Sequence, residues 1–241
     1  MKTVINAAPH PDDELIGAGA TLMLLRDAGW RVVNVACGLG RPADHGRRRA
    51  ELEEACRRAR FVLEVPRSLP PLGRGDDLAQ AQGVLAELLR EAIHRHQAPV
   101  IVGPSPDEAH HGHAVVGRAV LDAAAAAGGR RRVMLWGVWS DLASPNVIVG
   151  FDDHVVGEVQ AALSAHAGEL ARNDYDRLVR ARAEMNAVLG AERVFGFGSA
   201  RVPYRYAELL RELIWEPERG WIPTEPHELD PAARARLGQC G

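Results

Sequence analysis

The chain has 241 residues and a formal net charge of −3. That is long enough for one α/β domain with a real core, and it lacks the basic excess of a nucleic-acid binder. Cys37, Cys56 and Cys240 are unevenly spaced and form no CxxC pair, which argues against both a disulfide framework and a thiolate zinc site. No apolar run reaches the length of a signal-peptide core or a membrane span, so a soluble, reduced, cytoplasmic protein is expected.

The elements alternate along the first two thirds of the chain. Strands are predicted over residues 3–8, 31–37, 100–102 and 133–139, with a weaker one over 147–151. Helices are predicted over 14–28, 47–61, 78–94, 113–127 and 153–165, from apolar residues recurring at helical spacing. This rhythm implies an α/β fold with a mainly parallel sheet and helices on both faces. Right-handed crossovers place the loops after successive strands along one edge. The Gly/Pro-rich segments 38–46 and 66–75 are expected to wall a cleft there. There is no internal repeat, and the chain reads as a single domain over 1–241. Residues 216–241 carry Pro217, Pro223, Pro226 and Pro231 and read as an extension that wraps the surface or ends in a short helix over 231–237.

The most informative segment is Pro9-His10-Pro11-Asp12-Asp13-Glu14, between the first strand and the first helix. Ligands of open α/β sheets bind at the carboxyl ends of strands. Acidic residues before a helix are commonly caps, and Glu in a first turn complements the helix dipole. Capping does not need an imidazole stiffened by a proline on each side, whereas a metal site benefits from it. His10 and Asp13 are spaced to reach one divalent metal. Asp12 is left as a free carboxylate beside it.

A second cluster, Asp107-Glu108-Ala109-His110-His111-Gly112-His113, follows the strand over 100–102 and precedes a helix. Incidental histidines on a polar loop are the plain alternative, but three within four residues at a second strand end point to metal. His113 is the best-placed ligand, His110 leans toward the same point, and His111 is expected to face substrate or Asp12. His10, Asp13 and His113 form a three-ligand set that leaves a position for water. Asp12 can act as general base, and His110, if protonated, can stabilise an oxyanion.

These residues resemble the LmbE-like, or PIG-L, family of zinc-dependent N-deacetylases. The family's first motif, (P/A)HPDDE, is complete at residues 9–14. Its second, HPDH followed by AVG, is similar to His110-His111-Gly112-His113-Ala114-Val115-Val116-Gly117, with His-Gly replacing Pro-Asp. Arg48-Arg49-Ala50-Glu51 is similar to the family's R-x-x-E helix, and Tyr206-Ala207-Glu208 to its late Y-A-E element. Ala165-His166-Ala167-Gly168-Glu169-Leu170 is similar to its A-H-x-S-Q helix. The resemblance implies a Rossmann-like three-layer sandwich. It implies Zn²⁺, or another divalent cation, on His10, Asp13 and His113, with Asp12 as base and His110 polarising the carbonyl. It places Arg48 and Asp76 (or Asp77) toward substrate. No dinucleotide is expected, because the first turn lacks the glycine fingerprint.

The activity implied is removal of the N-acetyl group from an N-acetylglucosamine-type sugar conjugate, in a setting such as antibiotic or other secondary metabolism. The partner is then a small molecule, with no nucleic acid or membrane, and homo-oligomerisation is left open. Two alternatives stand beside it: amide cleavage of a larger acyl or thiol-sugar conjugate, and a non-catalytic metal- or sugar-binding module. Trp136, Trp139, Trp215 and Trp221 read as core or interface aromatics rather than sugar platforms. Asp152-Asp153-His154 reads as a helix cap.

Overall fold

The computed structural model describes residues 1–237; Cys240 lies outside them. The first half of the chain contains β1 (Thr3–Ala8), α1 (Asp13–Ile16), α2 (Gly19–Asp27), β2 (Arg31–Ala36), α3 (His45–Ala59), β3 (Val62–Glu64), α4 (Leu78–His96), β4 (Val100–Pro104) and α5 (His111–Ala126). The second half adds β5 (Arg131–Trp136), β6 (Val147–Phe151), α6 (Asp153–Leu163), α7 (Ala167–Leu170), α8 (Tyr175–Phe195), β7 (Tyr206–Glu216), β8 (Gly220–Pro223), β9 (His227–Glu228) and α9 (Pro231–Arg236).

The strands form one sheet in the order β3-β2-β1-β4-β5-β7-β6-β9, with β8 paired to β7. From β3 to β5 every pairing is parallel, and β7 runs antiparallel to β5, β6 and β8. Strand side chains alternate between the two faces. Val4, Val32, Val100, Val102 and Met134 pack with α2, α3 and α6 on one side. Ile5, Val33, Ile101 and Val133 pack with α4 and α5 on the other. The result is a three-layer α/β sandwich with a mostly parallel sheet, as the alternation implied.

The chain order reverses direction across the sheet between β1 and β4, which are hydrogen-bonded neighbours. A crevice opens at such a switch point, outside the carboxyl ends of the two strands. Both His-containing turns leave from those ends.

The predicted helix over 14–28 is two helices. Gly17 is the C-cap of α1, and a Cβ added there would lie 2.5 Å from the Trp136 ring. Trp136 is itself buried, so the ring cannot give way. Gly17→Ala is therefore expected to cost about 1–3 kcal/mol of stability through overpacking. Urea unfolding checks this, and an unchanged midpoint would contradict the close approach.

Other boundaries shift for tertiary reasons. The predicted strand over 133–139 stops at Trp136 because the next amides turn away to hold Glu108. The helix predicted from residue 113 begins at His111. The segment after residue 216 joins the sheet through β8 and β9 before ending in α9, so it does more than wrap the surface. Asn146 anchors it: its side-chain amide donates to the Thr224 carbonyl at 2.8 Å and to the Glu212 carbonyl at 3.0 Å. Cys37 and Cys56 are free and buried, and burial pushes the Cys37 thiol up to about 12. No helix among the described residues is long and apolar enough to cross a membrane.

Candidate active site

The turn after β1 is held by its own side chains. Asp13 Oδ2 accepts the His10 backbone N–H at 2.9 Å and lies 3.1 Å from His10 Nδ1. Asp12 sits at φ 114, a conformation that non-glycine residues rarely adopt and that typically stores about 1–3 kcal/mol of strain. Its backbone N–H donates to Glu14 Oε2 at 3.0 Å, and its carbonyl accepts from Leu15 and Ile16. Glu14 is in turn 2.6 Å from His166 Nε2, and both side chains are fully buried. A residue from the turn before α7 thus braces the strained position through Glu14.

The second turn follows β4. His110 is the N-cap of α5 and His113 lies two residues into it, buried against the edge of Trp136 with ring centroids 5.4 Å apart. His113 Nε2 is 3.1 Å from Asp13 Oδ2, the oxygen that also faces His10. His113 Nδ1 is 3.1 Å from Glu108 Oε2. Glu108 is fixed by backbone N–H groups of Val138 at 2.9 Å, Trp139 at 3.1 Å and Ser140 at 3.1 Å. The loop over 137–142 is tied back by Arg182, which donates to the Gly137 carbonyl and, at 3.0 Å, to the Ile16 carbonyl.

The charges follow this geometry. Burial opposes ionisation of Asp13, but the His113 and His10 imidazoles outweigh it and hold the carboxyl well below its usual range. Burial likewise opposes charge on His113, yet Asp13 and Glu108 lift it to about 9. Asp12 is pushed upward by burial and then by the Asp13 and Glu14 carboxylates, with Arg48 opposing. His110 is pushed down to about 4 by burial and by the neighbouring His10, His113 and His111. The sequence allowed for a protonated His110; in this setting the ring is neutral near pH 7 and offers one N–H.

The donor set suits a divalent cation. The ring nitrogens of His10, His110 and His113 include one from each that all lie within 4.8 Å of one another. In a tetrahedral site with bonds of about 2.0–2.2 Å, ligand atoms are ~3.4 Å apart. Asp13 Oδ2 lies 3.1 Å from both His10 Nδ1 and His113 Nε2, close to that spacing. Glu108 on the far nitrogen of His113 completes a carboxylate–histidine pair of the kind that orients metal ligands. Glu108→Gln puts an amide N–H₂ where two or three donors converge, so metal affinity is expected to fall about 10–100-fold. Competition with a chromogenic chelator measures it, and wild-type affinity would remove Glu108 from this role.

The residues expected near substrate divide. Arg48 donates to the Pro11 carbonyl at 3.2 Å and pairs with Glu169 at 3.3 Å, so it braces the first turn beside Asp12. His111 stacks on His110 at 4.8 Å. Asp76 accepts the Gly73 N–H at 2.6 Å and closes its own exposed loop, while Asp77 caps α4. The structure thus gathers His10, Asp12, Asp13, His110, His111, His113 and Arg48, and gives Asp76 a local turn contact. Asp152 caps α6 as expected. Trp136 is buried and Trp139 packs on Tyr175, whereas Trp215 and Trp221 pair with each other at 5.3 Å. Sequence reasoning missed the supporting roles of Glu108, His166 and Arg182. Glu108 could have been suspected from its place five residues before His113, and His166 from the A-H-x-S-Q-like segment it belongs to; no local pattern marks Arg182.

The sheet topology and the His/Asp cluster at its switch point place the chain in the class of α/β folds with a candidate metal site. Within that class, residues 5–124 match the family model described as PIG-L, GlcNAc-PI de-N-acetylase, a span that includes both His-containing turns. The chain belongs to this PIG-L, or LmbE-like, family of deacetylases. Solved structures share its fold well beyond the matched span. The conserved protein TT1542 from Thermus thermophilus is 22% identical, with TM-score 0.66, over 87% of this chain and 94% of that one. The A40926 pseudoaglycone deacetylase Dbv21 is 17% identical, with TM-score 0.68, over 93% of this chain and 98% of that one. GalB, the 4-carboxy-2-hydroxymuconate hydratase from Pseudomonas putida, is 20% identical, with TM-score 0.62, over 88% of this chain and 96% of that one. No curated protein matches the chain in sequence. At these identities the structural likeness concerns the fold, which serves a hydratase as well as deacetylases.

Proposed function

We propose that this protein is a zinc-dependent N-deacetylase that removes the acetyl group from an N-acetylglucosamine-type sugar conjugate. The observation that carries the reading is that His10 Nδ1 and His113 Nε2 both lie 3.1 Å from Asp13 Oδ2, with the Asp12 carboxylate beside them and, among the described residues, no hydrogen bond to it. His10, Asp13 and His113 would hold the divalent metal, which would supply Lewis-acid polarisation of the acyl oxygen and a lowered pKa for the attacking water. Asp12 takes the proton from that water as it adds to the acyl carbon. His110, as a neutral ring, presents an N–H to the oxygen on which negative charge develops. Asp12 or His110 then returns a proton to the departing nitrogen, and the C–N bond breaks to give acetate and a free amine. Glu108 holds His113 with Nε2 toward Asp13, where it would be free to bind the metal, and Glu14 with His166 holds Asp12 in its strained conformation. Membership of a deacetylase family and the A40926 deacetylase as a structural neighbour support the reaction class.

The test is release of acetate and free amine from a panel of N-acetylated amino-sugar conjugates. Turnover is expected with zinc, should vanish on chelation and should return on zinc addition. Release of a longer acid in place of acetate would favour the larger-acyl alternative. Addition of water to substrate with no acid released would overturn the hydrolase reading in favour of the hydratase chemistry this fold also serves.

A further inference from the structure

We propose that the pocket between the loop over 137–142 and helix α8 is a binding site for an amphipathic monocarboxylate, distinct from the metal centre. The pocket has a volume of about 220 Å³. Its apolar wall comes from Leu142, Leu178, Met185 and Leu209. Its polar wall comes from Arg182, Asn186 and Arg193, with Ser140 and Asp141 beside them.

Three facts about that polar wall point to an anion. First, Asn186 is only 6% exposed, yet among the described residues no group hydrogen-bonds its side-chain amide. Its amide atoms are not among the fully enclosed unpaired ones, so they open to the pocket they line and can bond a molecule held there. Second, Arg182 uses its N–H groups on the Ile16 and Gly137 carbonyls, and no described carboxylate comes within ion-pair distance of it. The carboxylates of Glu208, Glu108 and Asp141 act on this largely enclosed guanidinium only from beyond ion-pair distance, which leaves room for a closer anion. Third, Arg193 donates to the Leu142 carbonyl at 2.9 Å, and its single carboxylate neighbour among the described residues is Asp141 at 3.7 Å, whose side chain is 87% exposed. That acid sits at the rim and does not fill the pocket.

The apolar wall selects among anions. A phosphate would satisfy the cations and leave Leu142, Leu178, Met185 and Leu209 uncovered. A carboxylate with a short hydrocarbon tail satisfies both walls, since guanidinium groups match carboxylate geometry and the tail gains from leaving water. The volume equals roughly seven times the ~30 Å³ share of one liquid water, which suits a chain of about six carbons. Trp139 and Met185, each 43% exposed, continue the apolar surface at the edge of the pocket.

The test is calorimetric titration of the zinc-loaded protein with hexanoate, hexanol and inorganic phosphate as separate probes. Hexanoate is expected to bind, and the other two at least about tenfold more weakly, the loss anticipated when a charge-assisted hydrogen bond or the apolar contact is missing. Arg193→Met and Asn186→Leu should each weaken hexanoate about tenfold or more, with unchanged metal content and acetate release. Hexanoate binding should persist after the metal is removed by chelation, which separates this site from the metal centre whether or not the deacetylase reading holds. Equal binding of hexanol or phosphate, loss of hexanoate binding with the metal, or wild-type affinity in both variants would overturn the proposal. So would an oligomer in solution that covers the pocket.

Discussion

Asp12→Asn is expected to lower turnover by about two to four powers of ten while leaving the metal content unchanged, because it removes a general base and no ligand. The substitution suits the backbone. Asp12 has φ 114, and Asn is one of the few residues that tolerates positive φ. The contacts that hold the position run through the backbone N–H to Glu14 and the carbonyl to Leu15 and Ile16, so they survive the change. The folded state should therefore be at least as stable as wild type. Acetate release measured beside metal content on the same preparation separates the two effects. Near-normal turnover would remove Asp12 from the proton transfer, and loss of metal would make it a ligand.

His113→Ala is expected to abolish tight metal binding and, with it, activity. The ring is the shared element of the site: Nε2 faces Asp13 at 3.1 Å and Nδ1 faces Glu108 at 3.1 Å. Removing it deletes a candidate ligand, leaves Asp13 with one imidazole partner and takes from buried Glu108 its side-chain partner, while its backbone N–H donors remain. The loss should exceed the ~10–100-fold that altering a supporting partner costs. Excess zinc is not expected to restore turnover, whereas it should do so partly for Glu108→Gln. Metal analysis after dialysis checks this. Stoichiometric zinc in His113→Ala would shift the ligand set toward His10, Asp13 and His110. The two variants together form a pair with opposite signatures: metal kept with turnover lost, and metal lost outright.

Much of the site could be read from the chain because the chemistry is concentrated in two short turns. The first carries His10, Asp12 and Asp13 within four residues, and the second carries His110, His111 and His113 within four. The strands before them are largely apolar, Thr3 and Asn6 of β1 aside, which marks buried parallel strands. β1 falls on its predicted bounds for that reason, and β6, apolar along its length, does so as well. α8 escaped notice because its pattern is blurred. Its inward side uses small residues, Ala183, Ala187, Gly190 and Ala191, while Met185, Val188 and Leu189 remain exposed. A helix with apolar residues on both sides shows no single stripe. β7 was legible only at its Tyr206-Ala207-Glu208 start. Its burial repeats in threes rather than twos, since it pairs with β6 over its first half and with β5 and β8 over its second.

The sequence by itself determined which atoms could hold a cation and that they would stand at strand ends, because residue type sets ligand chemistry and hydrophobic period sets the secondary structure. Only the tertiary structure decided that Arg48 braces a turn, that His110 is neutral, and that Glu108, Glu14, His166 and Arg182 support the site. Those roles depend on burial and on contacts between segments far apart in the chain: His166 reaches Glu14 across 152 residues and Arg182 reaches Ile16 across 166. Charge state and hydrogen-bond partner are properties of a place in the folded molecule, and no local run of residues specifies them.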